Sequence, residues 1–165
     1  IPKRDWSSDV LLFRSVRARR ANAVYLPDVS LPSTVDVTHD LAAAVDGADV
    51  VVSAVPSHGS RAVTRALSSL VSPGTIVVSA TKGLEPGTLL RMSQVLEAEL
   101  TGRGTPVVVL SGPSFAAEVA RQLPTAVLAA STEHAAAERV QRELDRKSTR
   151  LNSSHVSESR MPSSA

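Results

Sequence analysis

The stretch TIVVSATKGLEPGT, residues 75–88, decides how this chain is read. Ile76-Val77-Val78 is a continuous β-branched run, the pattern of a strand covered on both faces. It passes through Ser79 and Ala80 into Thr81-Lys82-Gly83, and Pro86-Gly87 marks a turn. Residues 16–146 contain eleven arginines and a single lysine, Lys82. The sole lysine of this region therefore stands where a buried strand ends.

Outward from that point, two periodicities alternate. VDVT (35–38) reads as a short strand, and His39-Asp40 caps a helix LAAAVDG that stops at Gly47. ADVVVSAV (48–55) is a second continuous apolar run. Residues 59–71 carry a helical stripe of Val63, Ala66, Leu67, Leu70 and Val71, closed by Ser72-Pro73-Gly74. After strand 75–80 come helix 88–100, turn 101–106, strand 107–110, helix 114–122, strand 125–130 and helix 132–145. Strands and helices joined by short links predict βαβ units in a mainly parallel, doubly wound α/β sheet.

The bulk properties narrow the function. The formal net charge is +2, yet residues 16–146 hold twelve basic against thirteen acidic side chains. That is no footprint for nucleic acid. No apolar run reaches the roughly 20 residues needed to span a bilayer, so no membrane insertion is expected. Cysteine is absent, which excludes disulfides and thiolate metal sites, and no metal site is expected. Residues 1–16 lack a clean period, and residues 147–165 are serine-rich and poor in apolar side chains. Both ends resemble translated adapter sequence, so residues 1–16 are expected to be non-native or disordered and 147–165 a disordered, non-native tail. That leaves 17–146 as the domain.

In open α/β sheets, ligands bind beyond the carboxyl ends of the strands. AVPSHGS, SATKGLE and LSGPSFA each follow a predicted strand and share one sheet edge if the strands are parallel. In the third, Gly112 permits close backbone approach, Pro113 stiffens the turn and Ser114 is placed to cap the next helix. The free N–H groups of Ser114, Phe115 and Ala116 then offer either an anion site or plain helix capping, and Glu118 a variant capping interaction. Lys82 is a flexible point charge suited to a phosphate or a polarised oxygen. Pro56 ends a strand and Ser57 is placed to cap a helix, a turn that a cofactor could cross. His39 and His58 lack an acidic or metal-ligand partner at informative spacing and read as structural, and His134 reads as exposed helix surface; RARR (17–20) reads as a solvated charge run.

YLPDVSLP, AVPS, VSATKGLEPGT, LSGPSFAAEVA and LPTAVLAAS, in that order, resemble the bacterial-type NAD(P)-dependent glycerol-3-phosphate dehydrogenases over residues 17–146. The resemblance implies a partial Rossmann-type domain. The reaction it implies is hydride transfer between glycerol 3-phosphate and dihydroxyacetone phosphate with NAD or NADP. It further implies a cytoplasmic enzyme that supplies glycerophospholipid synthesis, with a homodimer as the possible assembly. By position, Lys82 would contact both substrate and cofactor, Gly112 and Ser114 the substrate, and Ala116 and Pro56 the cofactor. The family's Gly-rich pyrophosphate turn and its C-terminal helical domain, with the proton-acceptor lysine, are not found here. The resemblance thus gives this chain no catalytic residue and implies an inactive fragment. The alternatives are another dehydrogenase of the 6-phosphogluconate-like superfamily, acting on a 3-hydroxyacid or sugar nucleotide, and a non-catalytic α/β module.

Overall fold

A computed structural model describes the backbone of residues 9–145 and 149–155 and the side chains of residues 12–145. The chain forms two units, Ile1–Ala44 and Val45–Ala165. In the first, helix α1 covers Asp9–Arg19, so residues 9–16, expected to be non-native or disordered, are helical. Residues 1–8 lie outside the described part. Arg17 and Arg19 fall in the last turn of α1, where cations meet the carbonyl end of the helix dipole. Arg20 follows with φ +49, and its guanidinium donates to the carbonyls of Pro32 and, at 2.9 Å, Val35. One member of the RARR run is therefore a brace between two backbone segments.

VDVT does not form the predicted strand. The Val35 carbonyl accepts a hydrogen bond from an arginine side chain instead of from a neighbouring strand. Asp40 does cap the next helix, α2 (Leu41–Val45), accepting from the N–H groups of Ala42 and Ala43 at 3.0 and 3.3 Å. His39 takes no part in the cap and instead packs its ring against Phe13, with centroids 4.9 Å apart.

The second unit runs β1 (Val50–Ser53), α3 (Ser57–Ser68), β2 (Ile76–Ser79), α4 (Met92–Leu100), β3 (Val107–Ser111), α5 (Ala116–Ala120), β4 (Thr125–Ser131), α6 (His134–Leu144) and β5 (Thr149–His155). Its sheet has the order β1-β2-β3-β4-β5. β1, β2 and β3 are mutually parallel, as are β4 and β5, while β3 and β4 are antiparallel. The expected mainly parallel α/β sheet is therefore present, with one reversal. The link between β3 and β4, residues 112–124, carries only the short helix α5. Five helical residues rise only about 7.5 Å, whereas a parallel return beside β3 must recross a strand of about 17 Å. The chain turns back at the same edge instead.

The tail expected to lack packed structure over 147–165 contains β5, which pairs in parallel with the whole of β4. Ladder bonds are made by the backbone and ignore side-chain polarity, so an open edge of β4 templates even a serine-rich segment. Residues 146–148 and 156–165 lie outside the described part.

β2 is buried at every residue, as its unbroken apolar run requires. On one face Ile76, Val78, Val108 and Ala129 pack with Ala136 and Val140 of α6. Strand alternation turns Val77 and Ser79 to the other face, where α4 lies on β2 and β3 and α3 lies on α4. The sheet is thus covered on both sides. Leu96 of α4 is fully buried, whereas Leu89 in the preceding turn is 71% exposed. Leu96→Ala is expected to destabilise the chain by about 2–5 kcal/mol. Leu89→Ala should stay within about 0.5 kcal/mol. Urea unfolding followed by circular dichroism measures both.

Candidate functional site

Parallel pairing of β1, β2 and β3 sets the ends of all three strands along one edge, as the three turn sequences required. Two adjacent side chains fasten that edge. The Thr81 hydroxyl donates to the Val55 carbonyl at 2.7 Å, toward β1. The Lys82 ammonium donates to the Leu110 carbonyl at 3.0 Å, toward β3. Lys82 is exposed apart from this contact. An ammonium carries three donors. One is used on Leu110, which leaves two.

Leu110 leads through Ser111 into Gly112-Pro113-Ser114, so the structure brings Lys82 to the strand end that carries the Gly-Pro-Ser bend. Gly112 is required here for a reason internal to the fold. Its φ is +125, and a Cβ at this position would stand 2.7 Å from the Ala126 carbonyl oxygen of β4. The reversal between β3 and β4 is what crowds this residue.

Ser114 and Ser57 differ from expectation. The N-cap residue of α5 is Phe115 and that of α3 is Pro56, and neither helix has a side-chain cap. Backbone N–H groups of Glu118 and Val119 bond the Phe115 carbonyl instead. A five-residue helix also has little dipole to offer an anion. Ala116 opens α5, and it and Pro56 are both exposed at the edge.

Sequence reasoning missed the charge cluster behind Lys82. Arg61 of α3 grips Glu85 through two contacts of 2.7 Å, Nε to Oε1 and Nη2 to Oε2. Its Nη1 reaches Glu99 of α4, also at 2.7 Å, and Arg65 binds Glu99 at 2.9 and 3.1 Å. Thr88 donates to Glu85 Oε2 at 2.5 Å. The Glu85 carboxyl is held from its usual 4.5 down to about 2, first by the Arg61 hydrogen bonds and then by Thr88. The Glu99 carboxyl is also lowered, by Arg65 and then Arg61. These partners lie 24, 34 and 38 residues apart, so no local pattern announced them. The one available signal was a single acid set between Leu84 and Pro86, three residues after Lys82.

A dinucleotide needs a Gly-rich turn and a helix N-terminus for its pyrophosphate. The turn after β1, Ala54-Val55-Pro56, offers no such glycines, and none follows another parallel strand among the described residues. The edge therefore carries no pyrophosphate cradle of that kind among the described residues. No group of three or more metal-ligating side chains occurs among the described residues.

Residues 3–137 match the family described as NAD-dependent glycerol-3-phosphate dehydrogenase N-terminus. The match takes in residues 3–16, set apart in the sequence reading, and stops before the serine-rich tail. A glycerol-3-phosphate dehydrogenase [NAD(P)+] of Koribacter versatilis is 43% identical over 139 residues, covering 84% of this chain and 41% of that protein. One from Desulfitobacterium hafniense is 49% identical over 123 residues, covering 74% and 34%. The crystal structure of glycerol-3-phosphate dehydrogenase from Coxiella burnetii superimposes with a TM-score of 0.80 at 31% identity, covering 90% of this chain and 44% of that one. The chain thus spans well under half the length of the relatives it matches.

Two outcomes follow from this geometry. Gly112→Ala places a methyl against a β4 carbonyl in a conformation that L-residues avoid, and should destabilise by roughly 2 kcal/mol or more. Chemical denaturation of the purified chain measures it. The second concerns acid. A depressed folded pKa gives stabilisation that is complete above about 4.5 and lost as pH falls toward about 2. Glu85→Gln should therefore lower Tm at neutral pH, and the gap from the parent should close across that window. A constant gap would contradict the Arg61–Glu85 assignment.

Proposed function

We propose, because this chain belongs to the family of NAD-dependent glycerol-3-phosphate dehydrogenase N-termini, that it is the cofactor-side part of an oxidoreductase. That enzyme interconverts glycerol 3-phosphate and dihydroxyacetone phosphate. The observation that carries the reading is Lys82, set by the Leu110 carbonyl at the end of β3 with donors to spare. Bound NAD or NADP supplies the hydride acceptor or donor. The chain's own residues bind and orient. Lys82 places positive charge beside the substrate's oxygen or phosphate, where charge on the reacting oxygen changes most. Gly112 and Ser114 line the substrate side of the edge. Ala116 and Pro56, at the helix starts flanking it, would contact the cofactor.

This reading assigns the chain no proton-transfer residue, and that role falls to a part of the protein beyond these residues. It carries with it a cytoplasmic reaction supplying glycerophospholipid synthesis and a homodimeric intact enzyme. The family match and relatives at 43% and 49% identity favour glycerol 3-phosphate over a 3-hydroxyacid or sugar-nucleotide substrate.

The test is a graft. Residues 45–137 replace the matching segment of the Desulfitobacterium relative, and reduction of dihydroxyacetone phosphate by NADH or NADPH is followed. The graft is expected to turn over. Lys82→Met within it should lower kcat/KM by about 100-fold, the effect of losing one donor to a developing charge. A folded graft that is inactive, or one indifferent to Lys82→Met, overturns the reading.

A further inference from the structure

The turn that carries Lys82 is held in an unusual way. Of residues 81–91, only Glu85 is buried, and it is a carboxylate. Leu84 and Leu89, the apolar side chains that would ordinarily anchor such a turn, are 49% and 71% exposed. Gly83, between Lys82 and Leu84, has φ +97 with nothing near the place of a Cβ. Packing therefore does not fix the position of this segment.

Polar contacts do. On the strand side, Ala80 N–H donates to the Ser53 carbonyl at 2.8 Å, and the Thr81 hydroxyl donates to Val55. On the far side, the Glu85 carboxylate takes both arms of Arg61 together with the Thr88 hydroxyl. The turn closes on the same residue. Glu85 N–H donates to the Leu90 carbonyl and Leu89 N–H to the Glu85 carbonyl, both at 2.9 Å. Arg61 is itself steadied by Glu99 from α4. The Glu85 and Glu99 side chains are 11% and 12% exposed, and Arg61 is 29% exposed. Bidentate geometry and partial burial distinguish this cluster from ordinary surface ion pairs, which contribute little.

We infer that the Arg61–Glu85 pair is a positioning device for Lys82, fixing the far end of its turn so that the ammonium stays on the Leu110 carbonyl. Glu85 and Arg61 act through Lys82 and touch no substrate. The inference rests on the proposed role of Lys82, but its test does not depend on turnover. Glu99 provides the control, since removing its charge leaves the bidentate Arg61–Glu85 pair intact while still loosening α3 from α4.

The experiment uses the full 165-residue chain. Limiting acetylation at neutral pH, well below Tm, is read by mass spectrometry, with Lys3 and Lys147 as references within the same molecule. Glu85→Gln is expected to raise the Lys82 acetylation rate at least fivefold, because the amine leaves its carbonyl. Glu99→Gln should lower Tm while keeping Lys82 within twofold of the parent. If Glu85→Gln fails to fold, Thr88→Val removes one contact to the same carboxylate and should raise the rate about threefold. An unchanged Lys82 rate in a folded Glu85→Gln or Thr88→Val chain overturns the inference, as does an equal effect of Glu99→Gln. Turnover of the graft bears on the enzyme reading alone, so the two failures are distinguishable.

Discussion

The contact between the Lys82 ammonium and the Leu110 carbonyl is the point through which the fold reaches toward chemistry. It exists because β2 is buried on both faces and paired on both sides, so its end cannot wander. From that fixed end, Thr81 ties the edge to β1 and Lys82 ties it to β3. Two consecutive side chains thus bridge three strands at one rim. An exposed lysine ordinarily samples many rotamers and loses about 1.5–2 kcal/mol of entropy when ordered. Here one hydrogen bond and a braced turn restrain it.

Much of this edge was legible because it is written locally. A continuous β-branched run such as Ile76-Val77-Val78 carries its own burial, and a glycine or proline after each of β1, β2 and β3 marks where backbone must turn. Asp40 acted as a cap for the same reason, since its oxygen meets N–H groups two and three residues along. VDVT failed because a strand is a property of two segments. Its composition was right, but an arginine took the carbonyl that a ladder would have used.

The reversal at β4 and the pairing of β5 were illegible for related reasons. Strand direction depends on how far the intervening connection travels, and the pattern of 114–122 suggested nine helical residues where five form. A full-length helix there would have predicted a crossover. The shortened one leaves Phe115, Val119 and Leu123 exposed rather than packed as a crossover helix would pack them. The same reversal drives Gly112 against the β4 backbone, so a glycine read as room for a ligand is first of all room for Ala126 and Val127. The charge cluster was hidden by distance in sequence, and only the packing of α3 on α4 brings Arg61, Glu85 and Glu99 together.

Why the site uses lysine while the rest of residues 16–146 uses arginine follows from the division of labour this arrangement imposes. Arginine's planar fork suits carboxylates that stay in place, and Arg61 and Arg65 bind theirs with two or three donors in fixed directions. Such a fork at position 82 would commit most of its donors in one plane. An ammonium is compact and nearly isotropic. It can donate one hydrogen bond to the Leu110 carbonyl and still keep two N–H donors uncommitted. Arginine therefore holds the frame and lysine is kept for the rim. On the proposed reading, the cation that would meet a ligand is the one whose own geometry demands least of its surroundings.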